Sequence, residues 1–196
     1  EMEADAKRFA IRPGTEDGHR HSVRAGLAVR KWIQQENLTG ITFNFLAFDG
    51  TYGFPTVPFL EASKAMSRGI GYAGEGDVLT SALVGSLATV YPETTFTEAF
   101  CPDWKNGSLF MSHMGEVNSD LLAGTPTLLV NPFVWSDIAD PAVALGRLKG
   151  GDGCLVNCAP GPDDTFTLVI APGRMLDVPG EDKLEDTVHG WFEPQI

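Results

Sequence analysis

Residues 69–74 spell G-x-G-x-x-G, and Glu75 follows at once, set between Gly74 and Gly76 ahead of the apolar run "DVLTSALVGSLATV". Two chemistries compete for such a stretch. A dinucleotide phosphate loop brings backbone N–H groups and a helix N-terminus against a pyrophosphate, and it needs a strand before it and a helix after it. A carboxylate loop uses the same glycines to clear space around Glu75, so that a small ligand can approach. The helix after is predicted over 77–90, with Asp77 as its cap. The segment before, "PFLEASKAMSR" (58–68), reads as helix, with no buried β-run feeding the loop. Glu75 would also place negative charge where a pyrophosphate must be received. The nucleotide reading is therefore rejected. Two readings of Glu75 stay open: a carboxylate presented to a ligand, or an acid favoured by the dipole of a helix start.

The elements that must position this loop can be read around it. "SVRAGLAVRKWIQQEN" (22–37) places Val23, Leu27, Val29, Trp32 and Ile33 on one helical face, and "TGITFNFLAF" (39–48) is β-branched and aromatic, as a strand is. Helix and strand thus alternate up to residue 91, as in α/β layers, with residues 1–18 irregular. Beyond it come six turn-bounded β-like runs: 94–100, 108–115, 125–133, 153–160, 165–173 and 187–194; only "ADPAVALGRLKG" reads as a short helix. The fold class expected is α+β: a partial α/β domain over 1–91, then an antiparallel β-barrel-like domain over 92–196.

Bulk properties narrow the partners. The 196 residues carry a net charge of −12, which disfavours nucleic acid and anionic membrane surfaces and suits a divalent metal or a neutral polar substrate. No apolar stretch reaches the length of a membrane span. The chain opens on Glu1 rather than Met, which reads as a start within a longer protein. Cys154 and Cys158 lie four apart on one predicted strand, too far for a disulfide, and with Cys101 they read as reduced, mostly buried thiols of a cytoplasmic protein.

With its downstream context the loop resembles a known family. "GYAGEGDVLTSAL", "TTFTEAF", "LFMSHMGEVN" and "VHGWF" are similar, in that order, to the L-arabinose isomerase / L-fucose isomerase family of metal-dependent aldose–ketose isomerases, and closest to L-arabinose isomerase. The resemblance runs from about Phe43 to the C-terminus and implies the second half of that family's central domain plus its C-terminal domain, without the N-terminal one. It implies that Glu75 and Glu98 are acid/base residues and metal ligands, and that His113 and His189 complete the metal set. It also implies a divalent ion (Mn²⁺, with Mg²⁺, Co²⁺ or Zn²⁺ as alternatives), a small sugar substrate and a homo-oligomer, trimer or hexamer. Two carboxylates and two imidazoles do form a hard, mixed donor set suited to such ions. The spacing of the four is itself uninformative.

Other residues have plainer readings. His19 and His21 lie in a polar segment and read as solvated. Glu116, three residues after His113, is a surface acid or an orienter of that imidazole. Trp104, Trp135 and Trp191 read as core aromatics, Trp191 being nearest a proposed ligand. Two functions follow: an isomerase that moves a proton through an enediol, or a non-catalytic sugar- or metal-binding module or fragment of a larger isomerase.

Overall fold

The computed structural model describes residues 1–178, 184 and 186–195. The first half holds α1 (Met2–Arg8), β1 (Ala10–Ile11), α2 (Glu16–Glu36), β2 (Gly40–Thr42), α3 (Phe59–Met66), β3 (Gly71–Ala73) and α4 (Val78–Ala88). Strands β4 (Glu98–Asp103), β5 (Ser108–His113), β6 (Thr127–Val130), β7 (Ala142–Arg147), β8 (Gly151–Pro160), β9 (Phe166–Met175) and β10 (Val188–Pro194) follow.

Residues 1–18 are not irregular. They form α1, β1 and the first turn of α2, held by charge rather than by apolar periodicity. Asp5 is buried and lies 2.8 Å from His19 Nε2 and 2.5 Å from Lys64 Nζ. His19 is therefore an inward-facing residue and not a solvated one. The buried face of α2 runs through His19, Ser22, Ala25, Gly26, Val29 and Ile33, whereas Leu27 and Trp32 face outward. Small and polar residues occupy the packed stripe, so an apolar count alone misplaces it.

β2 and β3 pair in parallel, joined through α3, and α4 returns across them. All eight residues of α3 are buried, Glu61 and Lys64 included. Burying each of Phe59, Leu60 and Met66 stabilises the fold by about 1.5–3 kcal/mol. The two charges persist because Arg30 and Arg68 meet Glu61, while Glu1 and Asp5 meet Lys64.

The second half is a mixed sheet rather than a purely antiparallel one. Its path runs β1-β6-β7-β10-β5-β4, with β9 also on β10 and β8 on β9. β1 pairs parallel with β6, and β10 parallel with β7. The ends β1 and β4 do not pair among the described residues, so no closed barrel forms there. The expected helix in "ADPAVALGRLKG" is β7, a central strand paired with both β6 and β10. Ala and Leu are good helix formers, but a strand covered on both faces reads as a continuous apolar run, and burial overrides propensity. One apolar core runs from Val29 and Ile33 of α2 to Phe192 of β10.

β8 and β9 form a ten-residue ladder that pairs with β10 through Gly173–Met175, with Gln195 N donating to Pro172 O and Leu176 N to Trp191 O on either side. The cysteines differ from expectation: Cys101 and Cys154 are exposed and Cys158 is half-buried, although all three are free thiols. The strand reading of 154–158 holds, but of this stretch it is Leu155 that packs against the core, and the thiols do not.

Candidate functional site

The loop in question follows β3 directly. "GYA" is a fully buried three-residue strand, too short to detect beside a longer helix, so a strand does feed the loop. It lies inside the glycine motif, leaving only Gly74, Glu75, Gly76 and the cap residue Asp77 between strand and helix. Gly71 is a packing residue: a Cβ there would come 2.1 Å from Ser81 O and 2.4 Å from Gly85 N of α4. Its role is close strand–helix approach.

Glu75 has φ 58° and Gly76 φ 87°, and Asp77 N donates to Gly74 O at 3.0 Å. Both central residues of this tight turn are left-handed, the sign pattern of a type I′ turn. For a glutamate that backbone costs about 1 kcal/mol or more, which neighbouring contacts must hold. Thr42, at the end of β2, supplies them: its hydroxyl donates to Ala73 O at 2.8 Å and accepts from Gly76 N at 3.0 Å. Asp77 caps α4 by accepting from Thr80 N at 2.8 Å. Glu75 is left exposed beyond the carboxyl ends of two parallel strands, where open α/β sheets place ligands.

His113 ends β5 and faces this loop. An added Cβ on Gly74 would stand 3.8 Å from His113 Nε2. Its other nitrogen, Nδ1, is 3.0 Å from Glu116 Oε2. That is ion-pair distance, but the N–H does not aim squarely at the oxygen, and among the described residues neither atom has a hydrogen-bond partner. Tyr72 of β3 donates to the remaining oxygen, Glu116 Oε1, at 2.6 Å. Glu116 is fully buried and is no surface acid. Its loop is pinned by Ser63 of α3, whose hydroxyl donates to Gly115 O and accepts from Val117 N. Phe96 lies edge-on to His113, with ring centroids 5.0 Å apart, and to Tyr72.

Glu98 opens β4, opposite Ser112, and is exposed. Asn118 fixes the approach to β4 by donating to Pro92 O and Thr94 O. The electrostatics bind these groups together. Burial pushes the His113 imidazole down, but Glu116, then Glu98 and Glu75, outweigh it and hold its pKa above the ordinary value. Burial raises the Tyr72 phenol well above its usual range, with Glu116, Glu75 and Glu98 adding to the effect.

Glu75 and Glu98 thus act on His113 through their charge, with Glu116 and Tyr72 behind the imidazole. His189 pairs with Ser112, as Glu98 does from β4, while Val188 pairs with His113. Opposed residues share a face and neighbours alternate, so the register sets Glu98 and His189 on the parity of Ser112 and His113 on the other. His189 Nδ1 lies 3.2 Å from Thr187 O. Among the described residues no three His, Cys, Asp or Glu side chains are drawn close enough to hold a metal ion. The donor types of Glu75, Glu98 and His113 still suit a hard divalent cation, and the two carboxylates are exposed and free to turn.

The remaining candidates lie apart. Trp104 is 88% exposed, contrary to a core role; Trp135 packs on Phe45 and Phe133, and Trp191 on Phe110. A depression of about 220 Å³ beside α1 and α3 is lined by Arg8, Arg30, Lys64, Asp5 and other residues of the ion-pair network. Sequence reasoning weighed Glu116 and passed over Tyr72; their only shared signal was the Glu at +3 from His113.

Fold and cluster define a mixed α/β protein with a carboxylate–imidazole site at the carboxyl end of a parallel strand pair. Residues 6–91 match the L-arabinose isomerase central domain, so the similarity begins well before Phe43. The chain is 32% identical over 137 residues to L-arabinose isomerase 2 of Bacillus licheniformis, covering 68% of this chain and 28% of that protein. It is 31% identical over 137 residues to L-arabinose isomerase of Oceanobacillus iheyensis (68% and 28%), and 30% identical over 149 residues to that of Herpetosiphon aurantiacus (72% and 29%). Over these stretches it is a homologue of the L-arabinose isomerases. The aligned stretch spans less than a third of the length of these curated relatives. No helix among the described residues is long and apolar enough to cross a membrane.

Proposed function

We propose that the chain carries the proton-transferring and metal-binding side of an aldose–ketose isomerase acting on an open-chain sugar, with L-arabinose the first substrate to test. The observation that carries this reading is the aim of His113 Nε2 at the Gly74–Glu75 loop, with the charge of Glu98 acting on the same imidazole. Glu75, Glu98 and His113 would hold a divalent ion, Mn²⁺ first among candidates, which when bound polarises the sugar carbonyl. One of the two glutamates takes the proton from C2 and returns it to C1 through an enediol; the other orients the hydroxyls or relays their proton. The strained turn presents Glu75 without side-chain bulk on either side. His189, opposite Ser112 as Glu98 is, is the fourth candidate ligand. Homo-oligomeric assembly fits the exposed Phe166, Leu168 and Ile170, which share one face of the β8–β9 ladder.

A second reading is a sugar- or metal-binding module without turnover, favoured by the exposure of Glu75 and Glu98. The test is Mn²⁺ titration and a ketose assay on wild type and Glu98→Gln. Losing a general base typically costs 10²–10⁴-fold in rate. A large fall in kcat at saturating Mn²⁺ supports the isomerase. Mn²⁺ binding without turnover in wild type leaves the module, and binding indifferent to Glu98→Gln removes Glu98 from the site.

A further inference from the structure

We propose that Tyr72 and Glu116 form a buried positioning relay that holds neutral His113 as its Nδ1–H tautomer and so keeps the Nε2 lone pair turned to the Glu75 loop. The inference rests on the reading of His113 as a ligand and adds to it the device that orients the ring.

A neutral imidazole has one donor and one acceptor nitrogen, and the hydrogen bond made by one fixes the role of the other. Nδ1 of His113 faces Glu116 Oε2 at 3.0 Å, and a carboxylate oxygen can only accept. The proton is therefore placed on Nδ1 and the lone pair on Nε2. Glu116 in turn would swing unless its other oxygen were held. Tyr72 holds it at 2.6 Å, from a hydroxyl that burial keeps protonated. The backbone of all three is anchored independently: Tyr72 in the middle of β3, His113 paired with Val188, and the Glu116 loop on Ser63.

Burial supplies the second line of argument. Glu116 is completely shielded, and among the described residues neither Lys nor Arg meets it. A buried carboxylate supported by one phenol and one imidazole costs several kcal/mol in desolvation unless positive charge stands near. Positive charge reaching His113 at Nε2 supplies it. A carboxylate behind a ligating histidine makes the imidazole a better donor and typically accounts for 10–100-fold in affinity. The imperfect aim of Nδ1–H at Glu116 is what a small rotation of the ring would close.

Glu116→Gln and Tyr72→Phe test the relay, each read three ways: Mn²⁺ affinity by calorimetry, thermal melting, and ¹⁵N shifts of the His113 ring in the metal-free protein at a pH where the ring is neutral. Wild type should show protonated Nδ1 and bare Nε2. Glu116→Gln should mix the tautomers and weaken Mn²⁺ binding 10–100-fold, and Tyr72→Phe should do both to a lesser degree. Should Glu116→Gln fail to fold, Tyr72→Phe carries the test, since it keeps the ring. Unchanged tautomer and affinity in the folded variants, with only melting altered, would reduce Tyr72 and Glu116 to packing and overturn the relay. Absence of Mn²⁺ binding in wild type defeats the ligand reading instead. The tautomer shifts then decide the relay alone, a retained Nδ1–H in Glu116→Gln counting against it.

Discussion

Gly74→Ala separates the fold from the site in a single methyl group. Gly74 does not have a left-handed backbone, and its new Cβ would stand 3.7 Å from Phe45 Cζ, 3.8 Å from Phe96 Cε1 and 3.8 Å from His113 Nε2. All three are ordinary van der Waals separations, so nothing must move. Replacing a glycine where the backbone tolerates alanine stabilises by ~0.4–1 kcal/mol through the unfolded chain, which for a protein of this size raises Tm by ~1–4 °C. The cost falls on the ligand. An ion bonded to an imidazole nitrogen stands ~2.0–2.1 Å from it, within the space the methyl now fills in front of Nε2. Mn²⁺ affinity should drop at least tenfold, about 1.4 kcal/mol, with ketose formation falling alongside. Calorimetric titration and a thermal melt on the same sample provide both readings. Wild-type affinity with an unchanged or raised Tm would refute the aim of Nε2 at this loop, and a large fall in Tm would refute the geometry of Gly74.

Gly71→Ala should behave oppositely. Its Cβ meets the backbone of α4 at 2.1 and 2.4 Å, which cannot yield as a side chain can, so a loss of about 3 kcal/mol or more is expected in the urea midpoint. Tyr72 gives an alkaline signature: its ordinary value is 10.0 and the fold raises it well above that. Above pH 10 the unfolded chain releases a proton that the folded one keeps, so stability is complete below about pH 10 and is lost as pH rises toward the raised value. Ultraviolet titration should show Tyr72 ionising only with unfolding. In Tyr72→Phe that part of the alkaline loss should vanish.

The carboxylate loop, the Asp77 cap, α3, α4 and most of the later strands were legible because each is marked by local chemistry: flanking glycines, a capping acid, turn residues at the ends of β-branched runs. What stayed hidden depends on partners far along the chain. The burial of His19 follows from Asp5 and Lys64, and the strand state of Ala142–Arg147 from lying between β6 and β10. The side of the sheet taken by His189 follows from a pairing register that no local pattern prints. A resemblance in "VHGWF" could name an imidazole, but one residue of parity decides which face it takes.

The glycine motif does have a strand before it: β3 feeds the loop, against the expectation that none would. What argues against a phosphate cradle is where that strand falls. With Gly71 to Ala73 extended and buried, only Gly74 to Asp77 remain before α4, and two of these four are acids, Glu75 in a left-handed turn. Gly71 is consumed by packing against Ser81 and Gly85, and Gly74 by keeping the space before Nε2 clear. Neither is left to bring a backbone N–H to a phosphate. The same glycines that mimic a dinucleotide fingerprint let β3 and α4 pack closely and leave one exposed carboxylate, Glu75, whose charge acts on His113.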